Sequence, residues 1–363
     1  MDFLKNNSPR LQQLLGHAPI DESSADYPQT LMGRRVLVTG GGGSIGQELC
    51  RKIAECKPSK LVILDIYENG AYDIEQELKR KYGAELSVCV VIASIRDRSR
   101  IDAIFAEYKP EIVLHAAAHK HVPLMERNPT EAIKNNVFGT KNVFDAAEKH
   151  STKKCILIST DKAVNPTSVM GASKKMCEQM LSARQESKTT FAAVRFGNVA
   201  DSNGSVMPLF RRQIAEGGPI TVTDKNATRY FMSIAEACHL VLHATAMAEG
   251  GEVFVLDMGE PVNIYELACS LIQDAGLTPE KDVKITEIGL RMGEKLHEEL
   301  GTSTANLLPT SHARIFVEKT SPLSHKTVET QLQVLAIGIA REENNTLIKE
   351  ALQIAVPTYN PKA

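Results

Sequence analysis

Thr160-Asp161-Lys162 stands directly after an apolar run, and Met170-Gly-Ala-Ser-Lys174 follows a few residues later. A carboxyl beside an amine offers an acid and a base at one point of the chain. In a partly dry pocket the carboxyl of Asp161 can hold a proton and deliver it to a leaving hydroxyl. The hydroxyl of Thr160 can position either partner. The same spacing also fits a plainer arrangement, in which Asp161 caps the next segment and Lys162 is solvated. Met170 and Lys174 are four apart and share a face if the segment is helical. A thioether neither gives nor takes a proton, so Met170 reads as an apolar packing residue and acid–base work falls to Asp161 and Lys162.

Such a doublet needs a scaffold, and the apolar pattern supplies one. Short, nearly all-apolar runs at 36–39, 60–65, 86–92, 112–115, 155–159, 191–195 and 253–258 predict strands. Helical periods at 45–54, 70–81, 99–107, 129–149 and 168–187 alternate with them. Strand–helix alternation with fully apolar strands predicts an α/β fold, a doubly wound parallel sheet with helices on both faces. Past residue 196 the regularity breaks, with helices near 234–248 and 264–275 and loops to about 325. The expected organisation is an arm or linker at 1–32, with an amphipathic piece at 11–15, and a nucleotide-binding domain at 33–195 with a returning segment near 233–260. A smaller C-terminal substrate lobe and tail then occupy 196–232 and 261–363.

The 363 residues are 43% hydrophobic and 24% charged, ordinary for a globular protein with a sizeable core. A net charge of −2 argues against a nucleic-acid partner. The seven cysteines contain no C-x-x-C pair and read as reduced core residues of a cytoplasmic protein. No apolar run reaches the ~18–20 residues of a membrane span, so none is expected in this chain.

The first strand leads through Thr39-Gly40-Gly-Gly-Gly43-Ser44-Ile45-Gly46 into the first helix. Glycines there permit a tight turn and close backbone approach, and the helix N-terminus faces a pyrophosphate. Asp65 ends the second strand, where a carboxylate accepts from ribose hydroxyls and repels a 2′-phosphate. No Arg or Lys follows in 66–70, so NAD is expected rather than NADP. A positively charged nicotinamide beside Lys162 would lower its pKa and make it a base.

Thr-Gly-x-x-Gly-x-x-Gly, His115-Ala-Ala-Ala118 and Asn136-Val-Phe-Gly-Thr140 resemble the extended short-chain dehydrogenase/reductase superfamily, with its Rossmann domain. That resemblance implies that Ala116, Ala117 and Ala118 line the cofactor, that Asn136 helps hold it, and that Lys174 holds the nicotinamide ribose. Ser159 and Ile95 would border the same site. Two departures stand out: Ala93-Ser94-Ile95-Arg96-Asp97 replaces Gly-Asp-x-x-Asp, leaving the adenine amine to the Ser94 hydroxyl, and Met170 replaces the tyrosine of Tyr-x-x-x-Lys.

The stretch from Ile158 to Lys174 narrows the resemblance to UDP-N-acetylglucosamine 4,6-dehydratases, and within them to the long membrane-anchored branch that carries Ser-Met-Lys. Supporting motifs cover His119–Glu126, Arg195–Ala200, Asn203–Val206, Pro219–Asp224, Thr228–Ser233 and Gly289–Leu296. The segment 11–19 resembles the linker after that branch's membrane part. The resemblance implies oxidation at sugar C4, removal of the C5 proton by Lys162, loss of the C6 hydroxyl as water with Asp161 as acid, and hydride return to C6. Retention at C5 and a homo-oligomer joined through helix pairs follow from it too. It places Arg229 and Arg291 on the pyrophosphate and Glu294 on the uridine ribose. Lys120, Asn198, Ser205, Val206 and Thr221 would line the substrate groove.

His115, His119 and His121 invite a metal reading, but no further ligand stands at metal spacing, and none is expected. Two rivals remain. A UDP-sugar 4-epimerase needs no dehydrating pair, and a non-catalytic nucleotide-binding regulator would not need Asp161, Lys162 and Lys174 together.

Overall fold

The computed structural model describes residues 27–302, 306–319, 321–340 and 345–361. The amphipathic piece at 11–15 and most of the expected arm lie outside them. The part of that arm that is described, Tyr27 and the short helix Pro28–Leu31, is packed into the core, with Leu31 fully buried.

Strands β1 (Arg35–Thr39), β2 (Lys60–Asp65), β3 (Val88–Ile92), β4 (Ile112–His115), β5 (Lys154–Ile158), β6 (Thr190–Arg195) and β7 (Val253–Leu256) are parallel. Two further strands, β8 (Leu307–Pro309) and β9 (Ile315–Glu318), add antiparallel at one edge. The sheet order is β8-β9-β7-β6-β5-β4-β1-β2-β3. Hydrophobic clusters cover both faces, as the continuous apolar runs require. The doubly wound architecture expected from the sequence is therefore present. The order reverses between β1 and β4, and the crevice at their carboxyl ends is where ligands bind in such sheets.

A third cluster, built on Met207, Phe210, Ile220, Phe231 and Leu267, forms a smaller body beside that crevice. Two expectations need correction. Residues 307–318 are strands of the main sheet, not loop. Buried Arg195 of β6 holds β9 there: its guanidinium donates to Glu318 at 2.5 Å and to Glu178 at 2.6 Å. The tail also forms two helices, His325–Ala340 and Asn345–Ala355, that pack on the helix Val169–Ser182. That helix is thus covered by the chain itself. Lys349 of the last helix pairs with buried Glu126 at 2.7 Å, and Glu126 accepts from the Val169 amide at 2.6 Å.

Among the described residues no helix is long and apolar enough to cross a membrane.

Candidate active site

The glycine loop closes the crevice at β1. Gly40 has φ +69°, and a Cβ there would lie 2.6 Å from the Ala117 amide nitrogen. A Cβ on Gly46 would lie 2.0 Å from the Gly40 carbonyl oxygen. Gly43 is the N-cap of the helix Ser44–Glu55 and supplies no side-chain acceptor, which leaves first-turn amides for an anion. Ile45 continues that turn, and the Ser44 hydroxyl accepts from the Asn203 amide at 3.0 Å, joining the loop to the smaller body. Asp65 accepts from the Gly42 amide at 2.8 Å and from the Tyr67 amide at 2.8 Å, which sets its carboxylate beside the loop. These features fit a dinucleotide: backbone room, open helix amides and a carboxylate at the second strand end.

Ala116, Ala117 and Ala118 follow β4 into the crevice. Asn136 braces the loop after them, accepting from the His119 amide at 2.8 Å and donating to the His119 carbonyl and the Ser173 hydroxyl at 3.0 Å each. The expected single helix over 129–149 is broken at this point by a π-helical turn, Ile133–Gly139. Such turns concentrate at functional sites, and this one aims Asn136 inward. Ile95 packs against Gly139, where a Cβ would lie 2.7 Å from its side chain. The Ser94 hydroxyl accepts from the Arg96 amide at 3.2 Å, so it is partly engaged.

Thr160, Asp161 and Lys162 emerge at the carboxyl end of β5. Thr160, not Asp161, is the cap of the short turn Asp161–Ala163. Asp161 is fully buried, accepting from the Thr160 hydroxyl at 2.9 Å and pairing with Lys162 at 3.0 Å. The Lys162 amine also donates to Asn198 at 3.1 Å and pairs with Glu298 at 2.8 Å. Lys162 is therefore not solvated. Burial opposes its charge, but Asp161 and Glu298 hold the ammonium above the usual lysine range. The lowering expected beside a charged nicotinamide would have to overcome these two carboxyls. Burial would likewise raise the Asp161 carboxyl, yet Lys162 and hydrogen bonds bring it below the ordinary value.

Glu298 was not singled out in the sequence. It follows the Gly289–Leu296 motif as one of two adjacent glutamates, and only the fold separates them: Glu298 is buried, while half-exposed Glu299 pairs with Lys295. Burial first, then the Asp161 charge, push the Glu298 carboxyl up to about 8.

Lys174 lies behind the doublet, donating to the Ile158 carbonyl at 2.8 Å. Met170 is buried in the apolar cluster beneath the helix. The Ser159 hydroxyl is engaged within the protein, donating to Glu178 at 2.7 Å. Lys120 reaches the Ser202 hydroxyl at 3.4 Å, and desolvation of its amine together with the Lys162 charge lowers its pKa.

The groove residues divide. Arg229 spends its donors inside the protein, on Glu294 at 2.8 Å, Glu298 at 3.3 Å and the carbonyls of Thr228 and Leu296. Arg229, expected on a pyrophosphate, is thus already engaged in the protein alone. Arg291, exposed and held only to Glu294 at 3.1 Å, keeps donors for a ligand. Glu294 also accepts from Thr223 at 3.3 Å. Thr221 is tied to Gln213 at 2.9 Å, so its neighbour two residues on is the one near Glu294. Ser205 caps the helix Val206–Ala215 with its hydroxyl buried and unpartnered, and Val206 begins that helix. Of the three histidines, His115 is buried between the hydroxyls of Thr39 at 2.6 Å and Thr140 at 2.9 Å. Burial and then Lys174 hold it neutral, at about 3.

The chain is similar in sequence to known proteins. CapD of Staphylococcus aureus, a capsular polysaccharide biosynthesis protein, is 52% identical over 80% of this chain and 49% of its own. The chain thus spans about half the length of the first curated relatives it matches. A UDP-N-acetylglucosamine 4,6-dehydratase (inverting) of Campylobacter jejuni is 33% identical over 88% of this chain and 97% of its own. A UDP-glucose 4-epimerase of Rickettsia canadensis is 35% identical over 74% and 78%. A family model described as polysaccharide biosynthesis protein matches residues 36–320, so the chain belongs to that family.

Proposed function

We propose that this chain carries the activity of an NAD-dependent UDP-N-acetylglucosamine 4,6-dehydratase, giving a 4-keto-6-deoxy sugar with C5 retained. The observation that carries this reading is buried Asp161 paired with Lys162 at the end of β5, 3.0 Å apart, with Met170 in place of a phenol. NAD, when bound, supplies the redox step, accepting hydride from C4 and returning it to C6.

The chain's own residues supply the rest. Moving one proton across the 3.0 Å contact turns ammonium and carboxylate into amine and carboxylic acid. Those are the base for C5 and the acid for the C6 hydroxyl. The Thr160 hydroxyl, donating to Asp161, gives the C4 hydroxyl proton a path that needs no tyrosine. Lys174 keeps donors for the nicotinamide ribose, and Arg291 with Lys120 faces the diphosphate.

The test is NMR of the product formed from UDP-N-acetylglucosamine and NAD in deuterated water. Expected are loss of water, a 4-keto sugar and deuterium at C5, whose configuration the spectrum reads. Formation of the C4 epimer without water loss would instead establish the second reading, a 4-epimerase, which the R. canadensis relative favours. Cofactor binding has its own check. Gly46→Ala drives a methyl into the Gly40 carbonyl, 2.0 Å away, and calorimetry should find NAD affinity lowered by at least ~100-fold.

A further inference from the structure

Lys162 touches two carboxyls, and each keeps one oxygen that the Lys does not use. Asp161 Oδ1 takes the Lys162 amine and the Thr160 hydroxyl. Glu298 Oε1 takes the Lys162 amine at 2.8 Å and the Arg229 guanidinium at 3.3 Å. The remaining atoms, Asp161 Oδ2 and Glu298 Oε2, are buried and have no donor. Two ionised carboxylates could not satisfy each other, since both only accept. With one proton between them both are satisfied, and the Lys162 amine, 3.0 Å from Asp161 and 2.8 Å from Glu298, holds the two carboxyls on either side of it.

We propose that Glu298 is a positioning residue of the acid–base site, sharing one proton with Asp161 through Oε2 and Oδ2. The inference rests on the dehydratase reading for its use, but not for its existence. Buried like charges in contact cannot both ionise, so one carboxyl stays protonated. Burial and Asp161 select Glu298, whose ionisation lies near 8. The charged groups facing it are Asp161, Lys162 and Arg229. A neutral Glu298 leaves Lys162 facing one carboxylate instead of two, which eases release of its proton.

The shared proton also closes the ledger of the elimination. As Asp161 Oδ1 gives a proton to the departing C6 oxygen, the Glu298 proton passes to Oδ2. The C4 hydroxyl proton leaves through Thr160 to solvent when C4 is oxidised, and one proton taken from solvent after the elimination restores the pair. Lys162 takes the C5 proton, its ammonium exchanges with solvent, and it returns a proton to C5. One proton passes to solvent from the C4 hydroxyl, one comes back from solvent, one leaves in water, and the cluster ends as it began.

Infrared difference spectra of the cofactor-free protein across pH 6–10 test the pair without any turnover. The expected result is the carbonyl stretch of a protonated carboxyl, lost with a midpoint near 8 and absent in Glu298→Gln. Asp161→Asn should keep the band and move its midpoint down, because the neighbouring charge is gone. This second variant decides the matter if Glu298→Gln does not fold. No such band, or a band that both variants leave unchanged, overturns the proposal. In turnover, Glu298→Gln should lower kcat by about ten- to a hundredfold with KM little changed. The wild-type fall in kcat above pH ~8 should vanish with it, since only the protonated Glu298 is competent. A wild-type protein that shows the band but forms no 4-keto product refutes the dehydratase reading alone.

Discussion

Lys162→Ala is expected to lower 4-keto product formation by about 10³-fold, within the range contributed by a positioned base. The amine is the one group in contact with Asp161, Asn198 and Glu298 together, so nothing nearby replaces it. Asp161→Asn should act with similar size, because an amide keeps the shape but cannot yield the proton. Neither side chain belongs to the nucleotide loop, so NAD and UDP affinity by calorimetry should stay within a few-fold. Near wild-type rates in either variant would remove the doublet from the mechanism. A large loss of nucleotide affinity instead would recast it as a binding element.

The second large effect concerns stability. Glu178→Gln leaves the Arg195 guanidinium with Glu318 as its only carboxylate, in a place with almost no water. Breaking one side of a buried pair costs about 3–5 kcal/mol. Because Glu318 remains, the lower end, about 3 kcal/mol, is expected. The effect should depend on pH. Burial would raise the Glu178 carboxyl, but Arg195 brings it down to about 2. A carboxyl depressed on folding stabilises above its ordinary value near 4.5, and that contribution fades as pH falls toward about 2. Denaturant midpoints of wild type and variant should therefore lie well apart at pH 7 and converge in acid. A gap that stays constant down to pH 3 would contradict the assignment.

Local signals carried much of the fold. The glycine loop, Asp65 and the Thr160-Asp161-Lys162 turn were legible because each is fixed within a few residues of a strand end. The parallel strands were legible because burial on both faces leaves no polar alternation to confuse them. What escaped depends on distant partners. Ile315–Glu318 ends in a glutamate that looks like a surface residue until Arg195, on another strand, is placed beside it. Glu298 and Glu299 are indistinguishable as letters, and the chain path alone buries one of them. That Glu294, Glu298 and two carbonyls hold donors of Arg229 was likewise hidden, since all of these partners but one lie far from it in sequence. The π-helical turn at Asn136 is one extra residue in a helical repeat, too small a change for periodicity to register.

The contact from Lys349 through Glu126 to the Val169 amide bears on how the molecule can be shortened. A version ending before the last helix would strip a buried carboxylate of the cation it pairs with while leaving it at the start of the helix that carries Met170 and Lys174. The terminal segment, distant in sequence from the Asp161–Lys162 turn, thus acts as a buttress for the floor of the crevice. Fusions are better tolerated beyond Tyr359 than cuts before Asn345.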